Sequence, residues 1–178
     1  KDSLTTGQVE SKAGAGNTTT LSNRDVILNE YANKLTANST NAKVYAREGD
    51  DTITVSGSGN TVYGEAGNDY INDIGKNNIL VGGVGSDTYD VIWNWGKKVN
   101  IDNSGYNTGD KDILKLSLDS SNNCHYNYDS ARDAMVIGDF SGGRVAIENW
   151  SKNKLAEVRF AKDSLTTGQV ESKAGAGN

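Results

Sequence analysis

The sequence predicts an all-β fold: a solenoid of nine-residue units, followed by a small β-sandwich-like, antiparallel cap. Three observations carry this. Residues 46–90 divide into five consecutive nonapeptides whose eighth place is always apolar: Ile53, Val62, Ile71, Leu80 and Tyr89. The same period continues upstream through Val44, Leu35 and Val26, beyond the glycine-rich part. From Asp110 onward the period of nine gives way to strand-like alternation, as in Leu114, Leu116 and Leu118.

The composition suits such a fold. The chain has 178 residues, 21 glycines, no proline and only 35% apolar residues. Low apolar content by itself would suggest disorder. The strict period argues otherwise, because turns of Gly, Asn and Asp between single apolar positions are what a thin β-solenoid requires. Two nonapeptides form one coil, so odd units stack along one edge and even units along the other. Parallel strands stack at about 4.8 Å, so eight nonapeptides in four coils give a body on the order of 20 Å long. The net charge of −5 and pI near 4.9 supply no basic stripe for nucleic acid. One cysteine, Cys124, excludes an intrachain disulfide, and no apolar run is long enough for membrane insertion as a helix.

The sixth place of each nonapeptide alternates between aspartate and asparagine: Asp51, Asn60, Asp69, Asn78, Asp87. Aspartate therefore recurs in every second nonapeptide, on one edge only. The fifth unit has Gly82, Gly83, Gly85, Asp87 and Tyr89; the third has Gly64, Gly67, Asp69 and Ile71. The first keeps Gly49, Asp51 and Ile53 but has Ala46 and Arg47 in its first two places. This pattern resembles the G-G-x-G-x-D-x-U-x repeat of RTX (haemolysin-type calcium-binding) proteins. The resemblance implies a parallel β-roll in which calcium is held between stacked turns by backbone carbonyls and sixth-place carboxylates. Carried onto this chain, one site uses Arg47, Gly49, Asp51, Gly64, Ala66 and Asp69. A second uses Glu65, Gly67, Asp69, Gly82, Val84 and Asp87. Such oxygen-only sets suit calcium, which takes six to eight hard ligands. A third, terminal site would join Gly83, Gly85 and Asp87 to Asp102, Asp110 or Asp112, and Asn33 offers Asp51 a weaker partner at the other end. The competing reading of the aspartates is plain turn formation. The even edge, with Ala42, Asn60 and Asn78, is expected to be free of metal and to form an asparagine ladder.

The cap resembles the region after RTX blocks, as in the last block of adenylate cyclase toxin. The matching residues are Asp112 with Leu114, Asp133 with Val136, Val145 with Ile147 and Trp150, and Glu157 with Phe160. Capping an open solenoid end covers unpaired backbone and core. Residues 1–17 repeat letter for letter as residues 162–178. Either the chain spans one unit of a tandem array plus its overlap with the next, or the duplication was introduced by design. The first is the preferred reading. The expected organisation is residues 1–18 as the tail of a preceding unit, 19–90 as the roll with its metal-binding part at 46–90, 91–170 as the cap, and 171–178 as a flexible joint.

Other constellations are weaker. Cys124 and His125 are adjacent on a strand and so face opposite ways, which argues against a nucleophile and base. Trp93, Trp95, Tyr106, Tyr126, Tyr128 and Trp150 are expected to be cap core rather than a sugar platform. Residues 102–112 lack the glycine and closing glutamate of an EF-hand loop. The leading expectation is a non-enzymatic calcium module that folds outside the cell and acts as a repeated spacer of an adhesin-like surface protein. Family resemblance adds a bacterial, secreted or cell-surface location and export by type I secretion machinery. Adjacent copies of the unit are the expected partners. The alternatives are a glycan- or host-protein-binding module and the export domain of a toxin or enzyme.

Overall fold

The computed structural model describes residues 18–19, 25–105, 107 and 109–175. The fold is all-β with a single α-helix among those residues. The strands are β1 (Thr18–Thr19), β2 (Val26–Ile27), β3 (Lys34–Ala37), β4 (Lys43–Tyr45), β5 (Thr52–Val55), β6 (Thr61–Ala66), β7 (Tyr70–Asp73), β8 (Asn78–Val84) and β9 (Thr88–Val91). They continue as β10 (Lys98–Asp102), β11 (Ile113–Leu116), β12 (His125–Asp129), β13 (Ala134–Gly138), β14 (Arg144–Glu148), β15 (Glu157–Arg159) and β16 (Ser164–Thr166); helix α1 is Thr167–Gly175.

Up to β11, consecutive strands alternate between two sheets. One sheet runs β1-β3-β5-β7-β9-β11-β15-β16; the other runs β12-β13-β14-β10-β8-β6-β4-β2. From β3 to β9, each strand pairs in parallel with the strand two before it, offset by two nonapeptides. Leu35, Ile53, Ile71 and Tyr89 form one column; Val26, Val44, Val62 and Leu80 form the other. All eight are buried between the sheets. A branched or aromatic side chain at one inward place per strand is enough to fill a core this thin, since each column packs against its own copies above and below.

The cap, expected as a small β-sandwich-like, antiparallel unit, is antiparallel only in part. Strands β10 and β11 pair in parallel with β8 and β9, and so extend both sheets without a break. Strands β14 and β15 join them in parallel too, and pairing turns antiparallel only at β12–β13–β14 and β15–β16. The reason lies in the inward residues. Ile101, Leu114, Ile147 and Val158 prolong the two apolar columns, so pairing with the last coil covers its open edge and core together.

The segment expected to be a flexible joint is partly helical. Residues 171–175 lie within α1, where Val170 and Ala174, four apart, are buried against the cap. Gln169 accepts from the Thr166 backbone N–H at 2.8 Å, and Glu171 is held by Trp150 Nε1 at 3.1 Å and Lys154 at 2.6 Å. Small residues suggest looseness in the sequence; a tertiary surface selects the helix. The expected tail at residues 1–17 lies outside the described residues, as do residues 176–178.

The aromatic residues do not converge. Tyr126 and Trp150 are core and Trp93 is partly buried, whereas Trp95 is 78% exposed and Tyr128 lies at the surface. Tyr106 is outside the described residues. Cys124 packs towards the core while His125 faces outward, beside Phe140.

Candidate metal centre

The turns of the two edges have different backbones. On the aspartate edge, the second and fourth residues of each turn have positive φ: Arg47 (78°) and Gly49 (109°), Glu65 (76°) and Gly67 (142°), Gly83 (111°) and Gly85 (124°). On the asparagine edge, positive φ falls on the fifth residue instead: Asn41 (53°), Gly59 (72°) and Asn77 (55°). Left-handed residues at alternate places turn successive peptide groups in opposite senses. A left-handed arginine or glutamate costs about 1–2 kcal/mol relative to glycine, so the conformation is held by the stack around it.

Asp51, Asp69 and Asp87 stand in one buried column. The Asp51 N–H donates to Asp69 Oδ1 at 2.8 Å, and the Asp69 N–H donates to Asp87 Oδ1 at 2.8 Å. The column is closed at both ends. Asn33 donates its backbone N–H to Asp51 Oδ1 at 2.6 Å, and Asp87 donates its own to Asp112 Oδ1 at 2.8 Å. Each aspartate of the column thus uses one oxygen to tie its turn to the turn before. The other oxygens, Oδ2 of Asp51, Asp69 and Asp87, are buried with no hydrogen-bond partner. Burial pushes the carboxyls up, to about 7 for Asp51, about 6 for Asp69 and about 8 for Asp87, against the backbone N–H donors that lower them.

The thirteen residues that the repeat pattern nominates all lie on these three turns. Gly64 and Gly82 matter through what stands beside them. A Cβ on Gly64 would collide with Asp69 Oδ2 and the Gly82 carbonyl oxygen, and a Cβ on Gly82 would collide with Asp87 Oδ2. The orphaned oxygens of Asp69 and Asp87 therefore look into space that only glycine leaves open. The carbonyls of Gly49, Glu65 and Gly67 stand where a Cβ on Gly67, Gly83 or Gly85 of the next turn would fall. Those of Arg47, Ala66 and Val84 accept cross-turn N–H groups at 2.8–2.9 Å, leaving a second lone pair on each. Ala46 stands where Gly64 and Gly82 stand in the later turns, so the first turn carries a methyl there. Among the described residues, no three His, Cys, Asp or Glu side chains are grouped so as to hold a metal. Any ion on this edge would depend on two carboxylates and backbone carbonyls, a donor set that fits a hard cation.

At the terminal layer, Asp112 continues the column and Asp110 Oδ2 accepts from the Gly85 N–H at 3.2 Å. Asp102 points elsewhere, to the Ser104 N–H and Asn149. Asp112 Oδ2 is already occupied by Asn103 Nδ2 at 2.9 Å, and Asn103 Oδ1 accepts from the Tyr89 hydroxyl at 2.8 Å.

On the asparagine edge the two buried asparagines are satisfied, while Asp73 Oδ2 is buried without a hydrogen bond. Asn60 Oδ1 accepts from the Ala42 N–H at 3.0 Å, and Asn78 Oδ1 accepts from the Asn60 N–H at 2.8 Å. Asn60 Nδ2 donates to the Ser39 carbonyl at 2.9 Å and Asn78 Nδ2 donates to Asp73 Oδ1 at 2.8 Å. Sequence reasoning finds this ladder and misses its end. Lys97 is fully buried there against Asp73. A signal for it exists: Lys97, Val99 and Ile101 alternate, so all three face inward. Asn103, two places beyond Ile101, continues the same alternation and is buried too.

No protein-family model and no curated protein matches the chain. Among the described residues, no helix is long and apolar enough to cross a membrane.

Proposed function

We propose that this chain is a non-enzymatic calcium-binding module of the RTX type, a parallel β-roll with a β-rich cap, which folds when it meets extracellular calcium. The carrying observation is the column of three buried, unpartnered carboxylate oxygens, one in every second nonapeptide. A buried carboxylate with an empty lone-pair side is costly, and an edge built from three of them calls for a cation. Residues 47, 49, 51, 64, 66 and 69 would hold one ion, and residues 65, 67, 69, 82, 84 and 87 a second. Gly83, Gly85 and Asp87 facing Asp110 and Asp112 form a terminal candidate. Calcium bound there would supply the positive charge that the unpaired carboxylate oxygens lack. The protein's own part is to fix the turn backbones, exclude water and keep each Oδ1 tied to the neighbouring turn.

In low calcium the carboxylates repel and resist burial; with calcium outside the cell the turns close. At an affinity of about 0.1 mM, in the range of extracellular modules, ~10 mM calcium adds roughly 2.7 kcal/mol per site. That suits a secreted or surface-exposed bacterial protein exported unfolded through a type I channel, with the unit serving as a repeated, rigidified spacer of an adhesin-like protein. The exact duplication of residues 1–17 as 162–178 supports the tandem arrangement. A second reading, glycan or host-protein binding, rests on a cavity of about 410 Å³ beside Tyr128, Trp150, Lys154 and Glu171.

Circular dichroism with calcium and after its removal tests the main reading, alongside Asp69→Ala. We expect strand signal that depends on calcium and a weakened response in the variant. Equal folding in chelator, or an unchanged response in Asp69→Ala, would overturn it.

A further inference from the structure

The asparagine edge ends in an arrangement that neither the ladder nor the calcium reading requires. Lys97 precedes β10, and its side chain is wholly buried, as is that of Asp73. Its ammonium donates to the Asp73 carbonyl at 2.7 Å and to the Gly75 carbonyl at 2.7 Å, and lies 3.4 Å from Asp73 Oδ2. Asp73 and Gly75 are the first and third residues of their turn. A lysine with an exit to solvent extends its ammonium into water. This one is turned inward onto three oxygens of a single turn.

The match with the other edge is positional. On the aspartate edge, the first and third carbonyls of a turn, such as those of Gly82 and Val84, belong to the donor set assigned to a cation. On the asparagine edge, the same two places in the last turn, with a carboxylate added by Asp73, surround an ammonium group. Asp73 Oδ1 is committed to the Gly75 N–H at 2.9 Å and to Asn78 Nδ2, so the end of the ladder and the ammonium site share one carboxylate. The backbone around Lys97 ties the cap to this turn. The Arg144 N–H donates to the Lys97 carbonyl at 2.7 Å, and the Asn77 N–H donates to the Lys98 carbonyl at 2.6 Å.

We propose that Lys97 is a tethered cation. Its ammonium stands in the oxygen site that a metal ion would take in an aspartate-edge turn, and it locks the cap onto the last coil without metal. The comparison with a metal rests on the calcium reading above; the ammonium site itself does not. The consequence is a division of labour. One edge closes only with an external cation, whereas the other carries its cation in the chain and holds β8, β10 and β14 together before calcium arrives. Burial lowers the Lys97 pKa, and the Asp73 carboxylate beside it opposes that shift.

The test uses the whole chain in saturating calcium, with thermal unfolding followed by circular dichroism. Lys97→Met keeps the stem and removes the charge. Its midpoint is expected to fall by about 10 °C, since breaking a buried pair strands the remaining carboxylate. Adding Asp73→Asn to Lys97→Met should recover part of the loss. Lys97→Ala removes four heavy atoms, the number that propylammonium supplies. Added propylammonium chloride should raise that variant's midpoint and leave the parent unchanged, while propanol at the same concentration should not raise it. A Lys97→Met midpoint within about 2 °C of the parent, no recovery in the double variant, or equal rescue by propanol would each overturn the proposal. Failure of the calcium reading shows separately, as a parent midpoint indifferent to calcium.

Discussion

The two edges of the strand stack carry the same architecture on different chemistry. Both repeat their turns every second nonapeptide, and both use a sixth-place side-chain oxygen to accept the N–H of the preceding turn's sixth residue. On the asparagine edge the second polar atom is an amide that donates, to the Ser39 carbonyl from Asn60 and to Asp73 from Asn78. On the aspartate edge the second atom is an oxygen that, when ionised, can only accept, and nothing among the described residues donates to it. One atom per turn thus separates asparagines that are fully paired from aspartates left with one unpaired oxygen each. The turn backbones follow, with positive φ at places two and four on one edge and at place five on the other.

The largest effect expected from testing this contrast is a reversal of sign at Asp69. Asp69→Asn keeps the oxygen that accepts from the Asp51 N–H but removes the charge. In calcium it should weaken binding and lower stability. After calcium removal it should raise stability by about 1–3 kcal/mol, because the cost of burying the charge disappears. Asn60→Ala should behave differently, losing about 2–4 kcal/mol with or without calcium through the stranded Ala42 N–H and the broken ladder. Denaturant titrations of both variants in the two conditions decide this; an Asp69→Asn variant destabilised equally in both would remove the distinction between the edges.

The next effect is on pH. The folded carboxyls sit at about 6, 7 and 8 for Asp69, Asp51 and Asp87, above the ordinary value of 3.8. Protonation therefore favours the metal-free fold. That contribution is full below about pH 4 and is lost as pH rises through about 6 to 8. Calcium-free protein should accordingly melt at lower temperature at about pH 8 than at about pH 5. Calcium binding should release protons and strengthen across the same window. Melting curves at a series of pH values after calcium removal, with calorimetry in two buffers of different ionisation enthalpy, check both statements.

The smallest effect concerns Glu65, which holds φ of 76° at the place where Gly83 stands one coil later. Glu65→Gly should stabilise the aspartate edge by about 1 kcal/mol by removing a left-handed side chain. Asn72→Gly, at an extended residue of β7, should do the opposite. Chemical denaturation of the two variants side by side provides the comparison.

Much of the repeat is legible in the residues alone. The eighth-place residues from Val26 to Tyr89 give strand positions, inward direction and register together, because a strict period of nine leaves one way to stack identical places. The alternation of aspartate and asparagine separates the edges, and Asn33 and Asp112 stand among the candidates for the ends of the column. The cap is legible as strands but not as an extension of the same sheets. Pairing sets Val99 beside Asn78 across β8–β10, and Leu114 beside Tyr89 across β9–β11. Both offsets exceed two nonapeptides, so the inserted loops break the count that makes the stack readable. Helix α1 is not legible, because Gly and Ala near its end say little until Val170 and Ala174 have a surface to cover.

What the sequence determined by itself is the repeat: which residues face inward, which edge carries carboxylates, and at what spacing. What only the tertiary structure decided is where the polar atoms end. Whether a buried oxygen is paired depends on which donor arrives from outside the repeat, as Asn103 does for the Asp112 carboxylate and Lys97 for the Asp73 and Gly75 carbonyls. Periodicity specifies neighbours within the stack, while the groups that close the stack come from beyond it, and their placement is fixed by packing alone.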